Sequence, residues 1–232
     1  MSTKNYVVVG GSKGIGHGIV RRLLNDGHHV TVLSRTWDHQ DLDVNHIIFD
    51  VALDDLNSDQ LPGEIHGLVY CPGSINLKPF RALSPDAFRQ DFELNVVGAI
   101  RVVQAGLNAV KASGSGSIVM FSTVAVGQGM PAHASIAASK GAIEALTRTL
   151  AAEFSPDVRV NCIAPALTNT PLTARFFSDE ARAAALGEKY PLARTGTVDD
   201  IAAAACFLLS PDSSWMTGQI LAIDGGLSSV RK

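Results

Sequence analysis

Short runs of β-branched and aliphatic residues alternate along this chain with longer stretches whose apolar positions return every three or four residues. The short runs are Tyr6–Val9, His29–Leu33, His46–Phe49, Gly67–Tyr70, Ser117–Phe121, Arg159–Ile163 and Gln219–Ile223. They lack the apolar–polar alternation of a half-exposed strand, so they read as strands buried on both faces. Helical periods run from Ile15 to about Asp26, where Gly27 closes the helix, and over Phe88–Ala112, Ala134–Phe154 and Val198–Leu209. Ser113–Gly116 reads as a loop, and the acidic stretch Leu53–Leu61 as one or two helical turns. Strand and helix in alternation predict an α/β fold: a doubly wound parallel sheet of seven strands with helices on both faces. No internal repeat or linker divides residues 1–232, which read as one domain. Pro171–Leu192 breaks the regular pattern after a strand end and is a candidate substrate lid.

Composition narrows the classes. Apolar residues make up 46 % of the chain and charged residues 18 %, enough for a large core. The net charge of −3 with no basic block gives no sign of nucleic acid or an anionic membrane surface as partner. Cys71, Cys162 and Cys206 are odd in number and widely spaced, against a disulfide framework or a zinc site. No signal peptide precedes the first strand and no apolar run reaches membrane-spanning length, so a cytoplasmic location is expected.

The chemistry begins at the first strand end. Gly10, Gly14 and Gly16 stand between strand and helix, spaced G-x-x-x-G-x-G. Glycines there permit a tight turn and close approach of backbone to a pyrophosphate, which the helix N-terminus attracts. A turn with only a structural purpose has the same composition. The second strand ends Leu33-Ser34-Arg35, without the acid that grips a ribose 2′-hydroxyl. Lys13 and Arg35 are cations suited to a 2′-phosphate, so NADP(H) is expected over NAD(H).

Val9-Gly10-Gly11-Ser12-Lys13-Gly14-Ile15-Gly16 resembles the T-G-x-x-x-G-I-G turn of the classical short-chain dehydrogenase/reductase family, with Val9 in the threonine place. The resemblance covers the whole chain. Asp50-Val51 is similar to the pair that contacts adenine, and Tyr70-Cys71-Pro72-Gly73 stands in the place of N-N-A-G, keeping only the glycine. Asn95, seven residues into the first long helix, matches the family's structural asparagine. Asn161-Cys162-Ile163-Ala164-Pro165-Ala166 resembles N-x-I-x-P-G, and Thr170 the threonine that follows. Arg194-Thr195-Gly196, Thr217-Gly218-Gln219 and Asp224-Gly225-Gly226 resemble the C-terminal signature. The resemblance implies a cofactor site built from Gly10, Ser12, Lys13, Gly14, Ile15, Gly16, Ser34, Arg35, Asp50, Val51, Cys71, Gly73, Lys140, Pro165 and Thr170. It also implies a dimer or tetramer built through the two long helices.

The family's chemistry runs on Tyr-x-x-x-Lys, and here Ile136 stands four residues before Lys140. A hydrocarbon neither gives nor takes a proton. The remaining catalytic set that the resemblance implies is Lys140, Asn95 and a hydroxyl, Thr123 in the serine place with Ser122 beside it. His133 shares a helix face with Ile136 and Lys140 if the helix reaches back to it, and its ordinary pKa near ~6.5 suits acid–base work. The alternative role for it is to cap the helix or line the mouth of the site. Tyr70 and Tyr190 are weaker proton-donor candidates. Three readings stand: an NADPH-dependent reductase of carbonyl compounds with a non-standard proton donor, a non-catalytic NADP-binding regulatory or scaffold protein, and redox-neutral chemistry such as isomerisation. Ser74–Pro79 and 171–192 border the expected substrate pocket, with Leu172, Phe176, Phe177 and Leu186 as its apolar lining.

Overall fold

A computed structural model describes residues 3–231. Seven strands form one parallel sheet in the order β3-β2-β1-β4-β5-β6-β7. They are β1 Asn5–Val9, β2 His29–Ser34, β3 Asn45–Ile48, β4 Gly67–Tyr70, β5 Gly116–Phe121, β6 Val158–Pro165 and β7 Ile220–Ile223. The order reverses between β1 and β4, which pair in parallel from Tyr6↔Gly67 to Val9↔Tyr70. That crevice is where a doubly wound sheet holds its ligand.

The continuous hydrophobicity of the strands has a direct cause: both faces are covered. On one face Val7, Val9, Leu68, Tyr70, Ile118, Met120 and Cys162 share a core with Val102 and Ile143. They face the helices α3 (Gly98–Ala112) and α5 (Ala134–Phe154). On the other face Tyr6, Val8, Val32, Val69, Val119 and Ile163 meet Ile19, Ile201 and Leu208 from α1 (Gly14–Asn25) and α7 (Val198–Leu209). Period-two orientation is kept, and in the central strands both orientations meet apolar partners, whereas the edge strand β3 leaves Ile48 exposed.

Two expectations are corrected. The helical period over Phe88–Ala112 is one apolar stripe carried by two helices: α2 (Pro85–Phe92), capped by Ser84 Oγ, then a π-turn at Glu93–Val97, then α3. Periodicity cannot register one widened turn, because it moves the stripe by a single residue. The acidic stretch Leu53–Leu61 holds one of its expected one or two helical turns, the 3-10 turn Ser58–Gln60. The irregular insertion is partly helical, with a 3-10 segment Pro171–Phe176 and α6 (Glu180–Gly187). A short helix that the pattern does not announce, α4 (Ala125–Gln128), follows β5. No helix among the described residues is long and apolar enough to cross a membrane.

Candidate active site

The carboxyl ends of β1, β2 and β4 open into a cavity of about 410 Å³. The first turn supplies Gly10, Ser12, Lys13, Gly14, Ile15 and Gly16; β2 ends into Ser34 and Arg35; Asp50 and Val51 follow β3. Cys71 and Gly73 come from the end of β4, and Thr170 and Leu172 close the opposite rim. Pro165 is not among the lining residues; it ends β6, and its carbonyl accepts from the Val124 amide at 3.2 Å.

The turn fits a dinucleotide by its sterics. A Cβ at Gly16 would stand 2.3 Å from the Gly10 carbonyl oxygen, so no other residue lets the helix begin this close to the strand end. Lys13 is the residue before α1 and is exposed. The Arg35 guanidinium is also largely exposed and lies 4.0 Å from Asp50 Oδ2. Ser34 is committed otherwise: its hydroxyl donates to the Thr36 carbonyl at 2.8 Å. Pattern reading passed over a neighbouring aromatic group. His39 Nε2 donates to the Ser12 carbonyl at 2.9 Å, and its ring stacks on His17 with centroids 4.0 Å apart. Trp37 packs edge-on against His39. Residues 37–41 form no regular element, so no period announces them.

The expected catalytic end lies where α5 packs against β5 and β6. Lys140 is 7 % exposed. Burial draws its pKa down to about 8, against the opposing pull of Cys162, Cys71 and Asp91. Lys140 Nζ is 3.5 Å from the point where a Cβ on Gly73 would stand, and so is Asn95 Oδ1. Asn95 sits in the π-turn and is fully buried; its Nδ2 donates to the Asp91 carbonyl at 2.7 Å and to Ser74 Oγ at 3.2 Å. Its Oδ1 is buried without a hydrogen-bond partner. That acceptor beside an ammonium is what a bridging water or a ligand hydroxyl fits.

The two hydroxyls after β5 divide. Ser122 is buried and donates to Glu144 Oε1 at 2.8 Å, beneath α5. Its one proton is engaged, so the expectation of a substrate-facing Ser122 is corrected. Thr123 Oγ1 accepts from the Ala125 amide at 3.3 Å, which leaves its O–H to donate. Ile136 is buried on the first turns of α5. His133 stands just outside that helix, although its carbonyl accepts from the Ala137 amide at 2.8 Å, completing the first turn. His133 Nδ1 donates to the Pro131 carbonyl at 2.7 Å.

Neither tyrosine reaches the site as a donor. The Tyr70 hydroxyl donates to the Leu94 carbonyl at 2.6 Å, and burial raises its pKa far above the ordinary phenol. Tyr190 is buried, with its ring against Gly225. All three cysteines are free thiols; Cys162 is buried within β6, and Cys71 lines the cavity. Asp91 joins the site unannounced, held by Ser74, which the sequence places only at the start of a segment bordering the pocket. Asp91 is 4 % exposed, accepts from Ser74 Oγ at 2.6 Å through Oδ1, and has a buried, unpartnered Oδ2. The one available signal was an acid on the inner face of a helix, which charge counting does not separate from a solvated one.

Known proteins agree with this architecture. A family model described as Enoyl-(Acyl carrier protein) reductase matches residues 9–228. The chain is 32 % identical to L-xylulose reductase of Bos taurus over 238 residues, 97 % of each chain. It is 33 % identical over 240 residues to a tropinone reductase homolog of Arabidopsis thaliana, covering 96 % of this chain and 89 % of that protein. Among solved structures it is similar to the ligand-free aldohexose dehydrogenase of Thermoplasma acidophilum, with a TM-score of 0.88 and 28 % identity over 99 % and 97 % of the two chains. With the glycine turn, the seven-stranded sheet and the buried Lys140–Asn95 pair in place, the chain belongs to the short-chain dehydrogenase/reductase family of oxidoreductases.

Proposed function

We propose that the protein is an NADP(H)-dependent oxidoreductase of a carbonyl/alcohol pair that works without the family's phenol. The observation that carries this reading is the buried Lys140 ammonium and the unpartnered Asn95 Oδ1, both beside Gly73, which lines the dinucleotide cavity although Lys140 itself does not. A buried lysine beside an unsatisfied amide costs stability, and perturbed buried groups of this kind concentrate at functional sites. When bound, the dihydronicotinamide supplies a hydride. The chain's own residues hold the turn at Gly10–Gly16, orient the substrate oxygen by the Thr123 hydroxyl, and provide charge at Lys140. Lys13 and Arg35 present a point charge and a fork to a 2′-phosphate.

Two groups that carry protons stand within about a turn of Ile136: His133 and Lys140. Arg175 NH2 donates to the Ile75 carbonyl at 3.4 Å, joining the insertion to the loop after Gly73. This contact supports 171–192 as a lid over the substrate, with Leu172 on its inner rim. A homo-oligomer, dimer or tetramer, is also proposed.

The second reading, a non-catalytic NADP-binding regulatory or scaffold protein, is favoured by one observation: Ile136 fills the tyrosine position with a buried hydrocarbon. NADPH oxidation against a carbonyl panel, wild type beside Ile136→Tyr, decides between them. Turnover by wild type supports the oxidoreductase. Turnover by the tyrosine variant alone supports the binder. Tighter binding of NADH than NADPH in a titration refutes the cofactor preference.

A further inference from the structure

Two buried acceptors at the base of the site lack the donors that their chemistry demands, and a buried ammonium stands with them. Asp91 Oδ2 and Asn95 Oδ1 have no hydrogen-bond partner, and Lys140, 7 % exposed, carries up to three donors. They come from three elements: α2, the π-turn and α5. Ser74 ties two of them, donating to Asp91 Oδ1 and accepting from Asn95 Nδ2. An ionised carboxylate held at 4 % exposure is costly unless a cation answers it. Asp91 acts on the Lys140 ammonium through its charge, with no ion-pair contact among the described residues.

We propose that Asp91 is a positioning residue for this site: its carboxylate, held by Ser74, is the buried counter-charge that keeps the Lys140 ammonium protonated, and this makes Lys140 the acid that protonates the substrate oxygen. This rests on the oxidoreductase reading above. In reduction, the carbonyl carbon takes the hydride and the C=O π pair moves to oxygen. The oxygen takes a proton from Lys140 Nζ, which is left as a neutral amine. A solvent proton restores the ammonium. Alcohol oxidation runs the same transfers in reverse, with the amine as base.

The groups that face Lys140 are few. Cys71 at the end of β4 and Cys162 in β6 are held as neutral thiols by burial. Asn95 is uncharged, and Asp91 is the one carboxylate acting on the ammonium. A nearby opposite charge favours the charged form of a lysine, by on the order of one unit. Removing it lowers the midpoint and with it the protonated fraction of Lys140 near neutral pH.

The test reads Lys140 itself. Carbon-13 NMR of labelled lysine Cε, with the Lys140 signal assigned by its loss in Lys140→Met, gives the midpoint in the cofactor-free protein. Asp91→Asn and Asp91→Ala should both lower it by about one unit, since both remove the same charge. A structural role would instead make the two variants differ, and circular dichroism checks that each is folded. The alkaline limb of the NADPH-linked reduction rate should move down with that midpoint. A midpoint unchanged in both folded variants overturns Asp91 as counter-charge. A rate limb that ignores the midpoint, or a loss of turnover in His133→Ala equal to that in Lys140→Met, overturns Lys140 as the acid. If the midpoint moves but no carbonyl compound is reduced by any form, the oxidoreductase reading fails and takes Lys140's role as acid with it.

Discussion

Lys140 carries a cost that the rest of the chain absorbs. Its folded pKa near 8 lies below its unfolded value near 10.5, so the charged form is disfavoured by folding. Below pH 8 both states hold the proton, and the native state bears the penalty, on the order of 3 kcal/mol. Between the two values the unfolded chain binds more protons, and stability rises with pH. Lys140→Met should therefore melt higher than wild type at pH 7 in the absence of cofactor. The gap should close as pH rises from 8 toward 10.5. A thermal melt series across that range checks it; a variant that melts lower at pH 7 refutes it. Arg35 makes a second prediction at this scale. Arg35→Ala should weaken NADPH binding by on the order of tenfold while leaving NADH unchanged, because only the 2′-phosphate uses the guanidinium. Fluorescence titration with both nucleotides reads this directly.

Between elements, closeness sets the energetics. At Gly18 a Cβ would stand 2.4 Å from Val198 Cγ1, where α1 meets α7. Gly18→Leu should force those helices apart and cost more than about 2 kcal/mol, measured by urea denaturation. Thr197 opens α7 with a capping box: its side chain accepts from the Asp200 amide, and Asp200 returns to the Thr197 amide at 2.8 Å. Thr197→Ala should cost about 1 kcal/mol in the same assay. The element scale also explains where pattern reading stopped. Ala134–Phe154 and Val198–Leu209 were legible to the residue, since a long stripe of apolar positions admits one period. The π-turn was not, because α2 and α3 keep the stripe continuous across it. Yet that turn carries Asn95 into the site beside Asp91 and Ser74.

Over the whole molecule, one ligand should report on most of the fold. The cavity draws residues from the ends of β1, β2, β3 and β4 and from the segment after β6. A nucleotide bound there stabilises the native state only, by about 2.7 kcal/mol at a hundredfold excess over its dissociation constant. NADPH should raise the melting temperature more than NADH at equal concentration, and no shift with either would count against a dinucleotide site. Light scattering on the purified protein should give a mass above that of one chain; a monomer would remove the proposed oligomer.

What the chain determined by itself was whatever local pattern encodes: buried strands, amphipathic helices, a glycine turn where no Cβ fits, and the place of Lys140 four residues after Ile136. What only the tertiary structure decided was which polar groups meet. Ser122 and Thr123 are neighbours in sequence, but the parallel sheet turns one under α5 toward Glu144 and leaves the other free to donate. Asp91 and Lys140 lie far apart in sequence, and no local pattern joins them. The packing of α2 against α5 buries both, and in a medium that solvates charge poorly the carboxylate acts on the ammonium.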